Sequence, residues 1–473
     1  MRRADALLVQ HAKRVPHQAP DQCGGDNGNN GEKLLFYKRH HDFLRWAILR
    51  HCHAVRQTGS AAADIPASPP LQQREPSVNP HLESLQPYPF QRLRQLMAGA
   101  VPADKPPINL SIGEPKHPTP DVIKQALVAS LGGLSVYPAT LGSVELRQSC
   151  ADWMQRRYGL QLDTEKEVLP VNGSREALFA FVQTVVNSQQ AEKPVVISPN
   201  PFYQIYEGAA LLAGAEPFYV NCTASTGFQP DWASVPESVW ARTQLVFVCS
   251  PGNPTGAVMS LDDWKNLFAL SDRYGFVIAS DECYSEIHFG QPPLGGLEAA
   301  SKLGRGFERL VMFTSLSKRS NAPGMRSGFV AGDAALLAKF MLYRTYQGGA
   351  MSPTIQAASV AAWNDEAHVE ENRAAYIAKF QAVTPMLAEV LEVSLPDASF
   401  YLWAKVPGGN DTAFARALFE QEHITVLPGS FLARTAHGVN PGSGYIRIAL
   451  VATLAECQAA AERIVRFVKT TTI

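Results

Sequence analysis

Several features that mark other protein classes are missing from this 473-residue chain. No apolar run approaches the roughly 18 residues that a membrane-crossing helix needs, and the apolar stretch 6–9 is too short for a secretion signal. The 7 cysteines are dispersed without a C-x-x-C pair, as is typical of reduced thiols. Because 42 basic residues are balanced by 43 acidic ones, no surplus charge attracts nucleic acid. We expect a cytoplasmic protein with no nucleic-acid or membrane partner.

The first 77 residues differ in composition from the rest. They hold 6 of the 12 histidines, and 11 basic residues against 7 acidic ones. The stretches 20–32 and 60–76 are rich in Gly, Asn, Ala, Pro and Ser and cannot build a core. A metal site is the alternative suggested by His40, His41, His51, Cys52 and His53. Their flanks offer no fixed scaffold for ligands, so we predict a disordered extension over 1–77, dispensable for folding and catalysis, and no metal.

From about residue 78 onwards, short apolar stretches alternate with helical patterns. The predicted strands of this part are 194–198, 217–220, 244–250, 275–280, 309–314 and 328–331. The predicted helices are 143–158, 174–187, 203–213, 261–274 and 334–347. This alternation is typical of an α/β fold with a large, mostly parallel sheet. A long helix at 366–392, strands near 399–404 and 444–449, and a final helix at 453–469 predict a smaller α+β domain at the C-terminus.

The segment 314–328 carries the first chemical signal. Lys318 follows a predicted strand beside Ser315 and Ser317, and Arg326 comes eight residues later, after a Pro-Gly pair. A lysine among hydroxyls with an arginine nearby suits an imine-forming lysine next to a bound phosphate. Two other interpretations remain open for this segment alone: a surface lysine in a serine-rich loop, and a lysine-activated serine nucleophile of the S-x-x-K type.

Two further segments end a buried strand with a polar side chain. Residues 250–256 form a rigid Ser-Pro-Gly-Asn-Pro-Thr-Gly turn that presents Asn253 in a fixed direction. Asp281 lies at the carboxyl end of the apolar stretch 276–280, where α/β folds place ligand-binding groups. A buried carboxylate there needs a cationic partner, such as a protonated pyridine nitrogen, unless it only caps the next helix.

Together these three segments resemble the fold-type I, pyridoxal-phosphate-dependent aminotransferases. The residues in the order and approximate spacing of that family are Asn253, Asp281, Tyr284, Lys318 and Arg326. The other segments similar to its motifs are 111–115, 137–147, 171–177, 201–203 and 444–450. The resemblance covers about 78–473. It implies an N-terminal arm with part of the small domain at 78–128, a large cofactor-binding domain at 129–364, and a C-terminal small domain at 365–473.

The resemblance implies a role for each matching residue toward pyridoxal 5'-phosphate. Lys318 would form the imine and move the substrate proton, while Asp281 would keep the pyridine nitrogen protonated. Asn253 and Tyr284 would hydrogen-bond the phenolic oxygen. The remaining cofactor-binding residues would be Tyr203, stacked on the ring, and the phosphate ligands Ser174, Arg175, Ser315, Ser317, Arg326 and Tyr137. In the family, the tyrosine equivalent to Tyr137 comes from the neighbouring subunit, which implies a homodimer with shared active sites.

On the substrate side, the resemblance assigns Arg447 to the α-carboxylate and places the loop around Gly113 in the site. Longer strings, such as 171–181 and 315–333, are similar to bacterial N-succinyldiaminopimelate aminotransferases of lysine biosynthesis. This implies amino transfer between glutamate or 2-oxoglutarate and a long, succinylated dicarboxylic amino acid.

The distal carboxylates of such a substrate require a second cation. Lys116 is the first candidate, because it follows the Gly113 loop on the substrate side. The other candidates are Arg175, Arg319 and Arg344.

Alternatives within the same scaffold are an aspartate-, kynurenine- or N-acetylornithine-type aminotransferase and a β-elimination lyase. A different class is a transcription regulator that fuses a DNA-binding segment to an aminotransferase-like domain. Such a regulator needs an ordered, strongly basic unit of about 70 residues. The broken composition of residues 1–77 argues against one.

Overall fold

A seven-stranded sheet forms the centre of the protein. The computed structural model describes residues 78–471, so the extension and the metal alternative predicted for residues 1–77 lie outside the described residues. The strands are β1 Ile108–Asn109, β2 Val168–Val171, β3 Val195–Asn200, β4 Glu216–Asn221, β5 Thr243–Cys249, β6 Val277–Asp281, β7 Leu310–Ser315, β8 Gly328–Gly332, β9 Tyr401–Lys405, β10 Ile424–Thr425, β11 Leu427–Pro428 and β12 Tyr445–Ala449.

The α-helices lie between and around these strands. They are α1 Pro89–Leu96, α2 Asp121–Ala129, α3 Val144–Tyr158, α4 Ser174–Val185, α5 Ile205–Leu212, α6 Glu237–Trp240, α7 Leu261–Tyr274, α8 Gly296–Lys302, α9 Leu316–Arg319, α10 Ala334–Gln347, α11 Pro353–Asn364, α12 Ala367–Ala388, α13 Asp411–Glu422 and α14 Leu454–Thr470. Within residues 78–471, none of the helices combines the length and the apolar character required to cross a membrane.

The large sheet has the strand order β2-β8-β7-β6-β5-β3-β4. Its strand pairs are parallel except where β8 runs antiparallel to both β7 and β2. The predicted α/β fold with a mostly parallel sheet is therefore confirmed, and each of the six predicted strands coincides with a strand of this sheet to within two residues. The prediction missed β2, which contains Pro170. Since β2 lies at the edge of the sheet, a proline that cannot donate a ladder hydrogen bond is tolerated there.

The core lies on both faces of this sheet. In β5, Leu245 and Phe247 pack into one apolar cluster with α4, α5 and α10, while Val246 and Val248 pack into the opposite cluster with α3, α7 and α11. A strand buried on both faces is apolar throughout its length instead of alternating. This is why the sequence shows β5 as an uninterrupted apolar run.

The C-terminal part of the chain builds a second, smaller core. A three-stranded antiparallel sheet in the order β11-β12-β9 packs against α12, α13 and α14. The short strand β1, far upstream in the sequence, pairs in parallel with β10 and joins the same core. Helix α14 begins at a capping box in which the Thr453 hydroxyl accepts from the Glu456 amide and the Glu456 carboxylate accepts from the Thr453 amide. The boundaries predicted for the domains stay a prediction.

The carboxyl edge of the large sheet gathers the polar segments singled out above. Asp281 ends β6, and the turn with Asn253 follows the parallel strand β5. Lys318 follows β7, which pairs in parallel with β6. Because β8 is antiparallel to β7, with Gly328 opposite Ser315, β8 begins at the edge where β7 ends. Arg326, just before β8, therefore lies at the same edge. Residues far apart in the sequence thus meet because parallel strands end at one edge.

Candidate active site

A cavity of about 430 Å³ opens at this edge. Most of the site residues predicted from the sequence line it, namely Gly113, Ser174, Arg175, Tyr203, Asn253, Asp281, Tyr284, Ser315, Ser317, Lys318, Arg326 and Arg447. Tyr137 and Lys116 do not line the cavity, and the Tyr137 side chain is fully exposed. A residue that would act in a neighbouring subunit's site is expected to be exposed in its own chain, so the role of Tyr137 stays a prediction.

Lys318 is held in a short helical turn that directly follows a buried strand. The Ser315 hydroxyl caps this turn by accepting a hydrogen bond of 3.1 Å from the Ser317 amide. Lys318 Nζ donates to the main-chain oxygen of Gly113 at 2.5 Å and lies 5.2 Å from the centre of the Phe400 ring. Burial lowers the pKa of Lys318 to about 8. A lysine with such a pKa is partly unprotonated near neutral pH, as a nucleophile and base must be.

Asp281 is a buried carboxylate whose hydrogen bonds come only from neutral donors. Tyr206 Oη donates to its Oδ2 at 2.7 Å, and the Cys283 amide donates to its Oδ1 at 3.3 Å. Burial raises the pKa of Asp281, since no cation is hydrogen-bonded to it in the described part of the chain. A protonated pyridine nitrogen would supply the missing cation. The donor set and the burial of this site therefore fit pyridoxal 5'-phosphate.

The N-terminus of α4 and Arg326 form the anion-binding end of the cavity. Gly173 precedes the helix with a φ of +83° and provides no side-chain cap, so the amides of Ser174 and Arg175 are left for a ligand. A Cβ at Gly173 would lie 2.5 Å from Arg326 Nη2. Glycine is thus required both by the backbone conformation and by the close approach of the arginine, and the resulting cradle fits a phosphate group.

Arg447, on β12, reaches the opposite end of the cavity. Its Nη1 donates to Asn253 Oδ1 at 3.0 Å and its Nη2 donates to the Ser111 main-chain oxygen at 2.8 Å. Its Nε is buried and has no partner among the described residues. The guanidinium lies 4.2 Å from the centre of the Tyr401 ring, and Tyr401 Oη is 3.2 Å from Tyr284 Oη. A fixed guanidinium with an unsatisfied donor is suited to bind a carboxylate.

Arg175 is exposed on the wall of the same cavity. Its Nε donates to Tyr203 Oη at 2.5 Å, and its Nη2 donates to Tyr88 Oη at 3.4 Å. Burial raises the pKa of Tyr203, so this phenol stays neutral and leaves the charge of Arg175 uncompensated. In residues 78–471 no carboxylate is hydrogen-bonded to Arg175. It is therefore a cation on the cavity wall that no carboxylate of the described residues pairs with.

Two other cations that were candidates for binding the distal carboxylates do not line the cavity. Arg319 is 2% exposed and bonds Glu366 Oε1 at 2.8 Å, and Arg344 is fully buried against Glu176. A buried guanidinium needs such a partner, and the pairing removes it from the cavity. Lys116 is exposed outside the cavity, so the structure gives no support to its first place among the candidates.

Sequence reasoning missed Tyr206, Tyr401, Tyr88 and the thiols Cys249 and Cys283. The only signal for Tyr206 was its position three residues after Tyr203, on the face of α5 that meets the sheet. Cys283 Sγ donates to Ser174 Oγ at 3.0 Å, which links the Asp281 end of the cavity to the anion-binding end. In the described residues no group of three or more His, Cys, Asp or Glu side chains could hold a metal ion.

A known protein family matches the part of the chain that contains the site residues predicted from the sequence. Residues 105–464 match the model of the family described as aminotransferase class I and II. The chain belongs to this family. Its members depend on pyridoxal 5'-phosphate and act on small amino and oxo acids, so the family, the fold type and the cofactor expected from the sequence are confirmed.

Among solved structures, this aminotransferase is similar to one from Neisseria meningitidis, with 59% identity, a TM-score of 0.81, and coverage of 83% of this chain and 100% of that one. A probable N-succinyldiaminopimelate aminotransferase from Thermus thermophilus is 27% identical, with a TM-score of 0.71 over 80% of this chain and 99% of that one. An LL-diaminopimelate aminotransferase from Desulforudis audaxviator is 33% identical over 389 residues, which are 81% of this chain and 96% of that protein.

Proposed function

We propose that this aminotransferase moves an amino group between N-succinyl-LL-2,6-diaminopimelate and 2-oxoglutarate in diaminopimelate and lysine biosynthesis. The observation that carries the proposal is the charge of the cavity. Four cations line it, namely Arg175, Lys318, Arg326 and Arg447, while its acidic side chains are the buried Asp281 and the exposed Glu114. Such an excess of positive charge suits an anionic cofactor together with a substrate that carries several carboxylates.

Each arginine has a distinct anion to bind in this proposal. Arg326, with the amides at the start of α4, holds the cofactor phosphate. Arg447 holds the α-carboxylate through its two-pronged guanidinium. Arg175 binds a distal carboxylate of the succinyl arm from the cavity wall, which Lys116 does not line.

Lys318 carries the proton in the reaction we propose. When bound, the cofactor supplies a protonated ring that withdraws electrons from the substrate carbon. Asp281 would keep that ring protonated through its carboxylate, and Asn253 and Tyr284 would hold its phenolic oxygen. Lys318, with its pKa of about 8, is the base that takes the proton from the substrate carbon and returns it to the adjacent position.

A second candidate substrate is LL-diaminopimelate without the succinyl group. Relatives from Desulforudis audaxviator and Aquifex aeolicus that are 33% and 32% identical bear the name LL-diaminopimelate aminotransferase. The free distal ammonium of that substrate requires an acid beside Arg175. Glu114 lies on the cavity wall and could provide it.

Kinetic comparison of donors tests the proposal. With 2-oxoglutarate as acceptor, kcat/KM should be highest for N-succinyl-LL-diaminopimelate, lower for LL-diaminopimelate, and lowest for aspartate, kynurenine, N-acetylornithine and alanine. Arg175→Met should lower kcat/KM for the succinylated donor about tenfold to hundredfold and leave alanine nearly unchanged, as expected for a lost charged hydrogen bond. Lys116→Met is the matched control and should have little effect on either. A preference for LL-diaminopimelate would favour the second candidate, and equal loss for all donors would exclude Arg175 as the distal reader.

We further propose a homodimer with shared sites. The exposure of Tyr137, which is complete in this chain, supports the idea that it completes the phosphate site of a neighbouring subunit. Sedimentation of the cofactor-loaded protein tests the dimer itself.

A further inference from the structure

A polar cluster contacts the main chain of the turn that carries Lys318, and its residues have no role in the function proposed above. It consists of His117, on the loop that continues from Gly113, and of Asn372 and Lys379 on α12. Lys379 is 2% exposed, and its Nζ lies 2.6 Å from His117 Nε2. His117 Nδ1 lies 2.8 Å from Asn372 Oδ1. A buried ammonium without a carboxylate is costly, so this contact needs an explanation.

One arrangement of protons satisfies every contact of the cluster. The Lys379 ammonium can only donate, so His117 Nε2 accepts and the ring carries its proton on Nδ1. That Nδ1–H donates to Asn372 Oδ1. The Asn372 amide nitrogen then donates to the main-chain oxygens of Lys318, at 3.2 Å, and Arg319, at 3.4 Å. His117 is therefore neutral, and a second proton on it would face the Lys379 ammonium across 2.6 Å.

The cluster and its loop reach the Lys318 turn at several points. Asn372 bonds the main-chain oxygen of Lys318, and Gly113 accepts from Lys318 Nζ. Thr119 Oγ1 donates to the main-chain oxygen of Asn321 at 2.7 Å. The loop 113–119 is thus attached directly to Lys318 Nζ and to Asn321, and through Asn372 to the main-chain oxygen of Lys318.

We propose that Lys379, His117 and Asn372 are positioning residues that dock the 113–119 loop on the Lys318 turn, and that a second proton on His117 undocks it. In the docked state, burial first and then Lys379 lower the pKa of His117. The undocked state therefore binds more protons. Docking is strongest above the ordinary histidine pKa of about 6.5, and it weakens by up to about tenfold per pH unit as the pH falls from there toward the lowered pKa of docked His117.

The other charged groups around the cluster do not change this sign. Burial lowers the pKa of Lys379 to about 8, against the weaker opposite effects of Cys457 and Glu456 on α14. Exposure on undocking would thus favour proton uptake by Lys379 as well. The positive charge of Lys116 contributes to lowering the pKa of Glu456 and opposes the rise that burial causes in the pKa of Cys457. The Tyr376 ring, 4.8 Å from the His117 ring, is neutral because burial raises its pKa.

Hydrogen exchange of the cofactor-loaded protein tests the proposal without relying on catalysis. Peptides covering 112–119 and 316–322 are followed by mass spectrometry across a pH series, each corrected for the intrinsic pH dependence of amide exchange. In the wild type, both peptides should lose protection together as the pH falls. His117→Gln should abolish this acid-dependent loss, because a glutamine takes up no proton, whereas Lys379→Met should only reduce it, because burial still lowers the pKa of the His117 ring. Asn372→Leu should lower the protection of the 316–322 peptide at every pH.

Matched controls separate docking from general acid sensitivity. His288, which is buried and has its Nδ1 bonded to the Gly290 oxygen, is another histidine whose pKa burial lowers, and His288→Gln should keep the wild-type pattern. Protection in β4, at the far edge of the sheet, should not change. The proposal is overturned if the two peptides respond to pH independently, if His117→Gln still shows the acid loss, or if β4 loses protection at the same pH.

The pH dependence of kcat provides a second readout, which rests on the proposed role of Lys318. The acid limb of the wild type should be absent in His117→Gln and present in His288→Gln. If exchange follows the prediction while the kcat profiles do not differ, the docking stands and the proposed role of Lys318 fails.

Discussion

The hydrogen bond from Tyr206 to Asp281 fixes the charge at the centre of the site. Tyr206 is 1% exposed and stacks on Phe247 with 4.3 Å between ring centres, so packing holds the ring in place independently of its hydroxyl. Tyr206→Phe therefore removes one donor from a buried carboxylate and leaves the shape of the site intact. The Cys283 amide remains as the other donor to Asp281.

The expected effect follows from the energy of that bond. A hydrogen bond to a charged group contributes about 1.5–3 kcal/mol, and one pKa unit corresponds to about 1.4 kcal/mol. The pKa of Asp281, which burial already raises, should therefore rise further in the apoprotein. A carboxylate that ionises less readily holds the protonated ring nitrogen less well. We expect kcat to fall about tenfold to hundredfold, with little change in KM.

Two measurements check this reasoning. The pH titration of the cofactor absorbance should shift in Tyr206→Phe, and kcat should fall at neutral pH. Tyr219→Phe is the control, because it removes an equivalent bond of 2.5 Å to Glu207, a carboxylate that Arg434 already neutralises and that does not touch Asp281. The control should retain the wild-type spectrum and kcat. An unchanged spectrum and turnover in Tyr206→Phe would refute the idea that this hydroxyl maintains the charge of Asp281.

Three further predictions concern other residues of the site. Lys318→Ala should lose the cofactor link that borohydride reduces. Its apoprotein should also have a higher melting temperature than the wild type at about pH 7, because burial lowers the pKa of Lys318 to about 8. This gain in stability should shrink as the pH rises from about 8 toward the unfolded pKa of about 10.4. Retained reducible cofactor would mean that another lysine forms the link. Arg447→Ala should raise KM about tenfold or more for donor and acceptor alike, since both present an α-carboxylate, and an effect on one alone would contradict this role. Mixed dimers of inactive Tyr137→Phe and Lys318→Ala subunits should regain activity, and complete inactivity would count against a shared site.

The strands of the large sheet could be predicted because their burial leaves a direct trace in the sequence. Strands such as β5 and β7 are covered on both faces, so each is a short apolar run bounded by polar or turn residues. The exception is β2, which is short and contains Pro170. A proline is compatible with a strand there because β2 lies at the edge of the sheet. No local pattern indicates which strand occupies an edge.

The sequence by itself determined the part of the site that lies in strand-end motifs. Asp281 ends β6, and Asn253 and Lys318 come a few residues after the ends of β5 and β7, so the parallel sheet brings them together wherever the helices pack. Gly173 is likewise prescribed locally, because the turn before α4 requires a positive φ.

Only the tertiary structure decided which charged and aromatic side chains face the cavity. Arg175, Arg319 and Arg344 are equivalent as sequence letters, but packing buries the second and third against Glu366 and Glu176 and leaves the first open to substrate. Tyr206 and Tyr401 reach Asp281 and Arg447 across long sequence separations. The same is true of Lys379, which meets His117 from a helix 262 residues away. Charge and burial are properties of a side chain's surroundings, and those surroundings exist only after distant segments have packed.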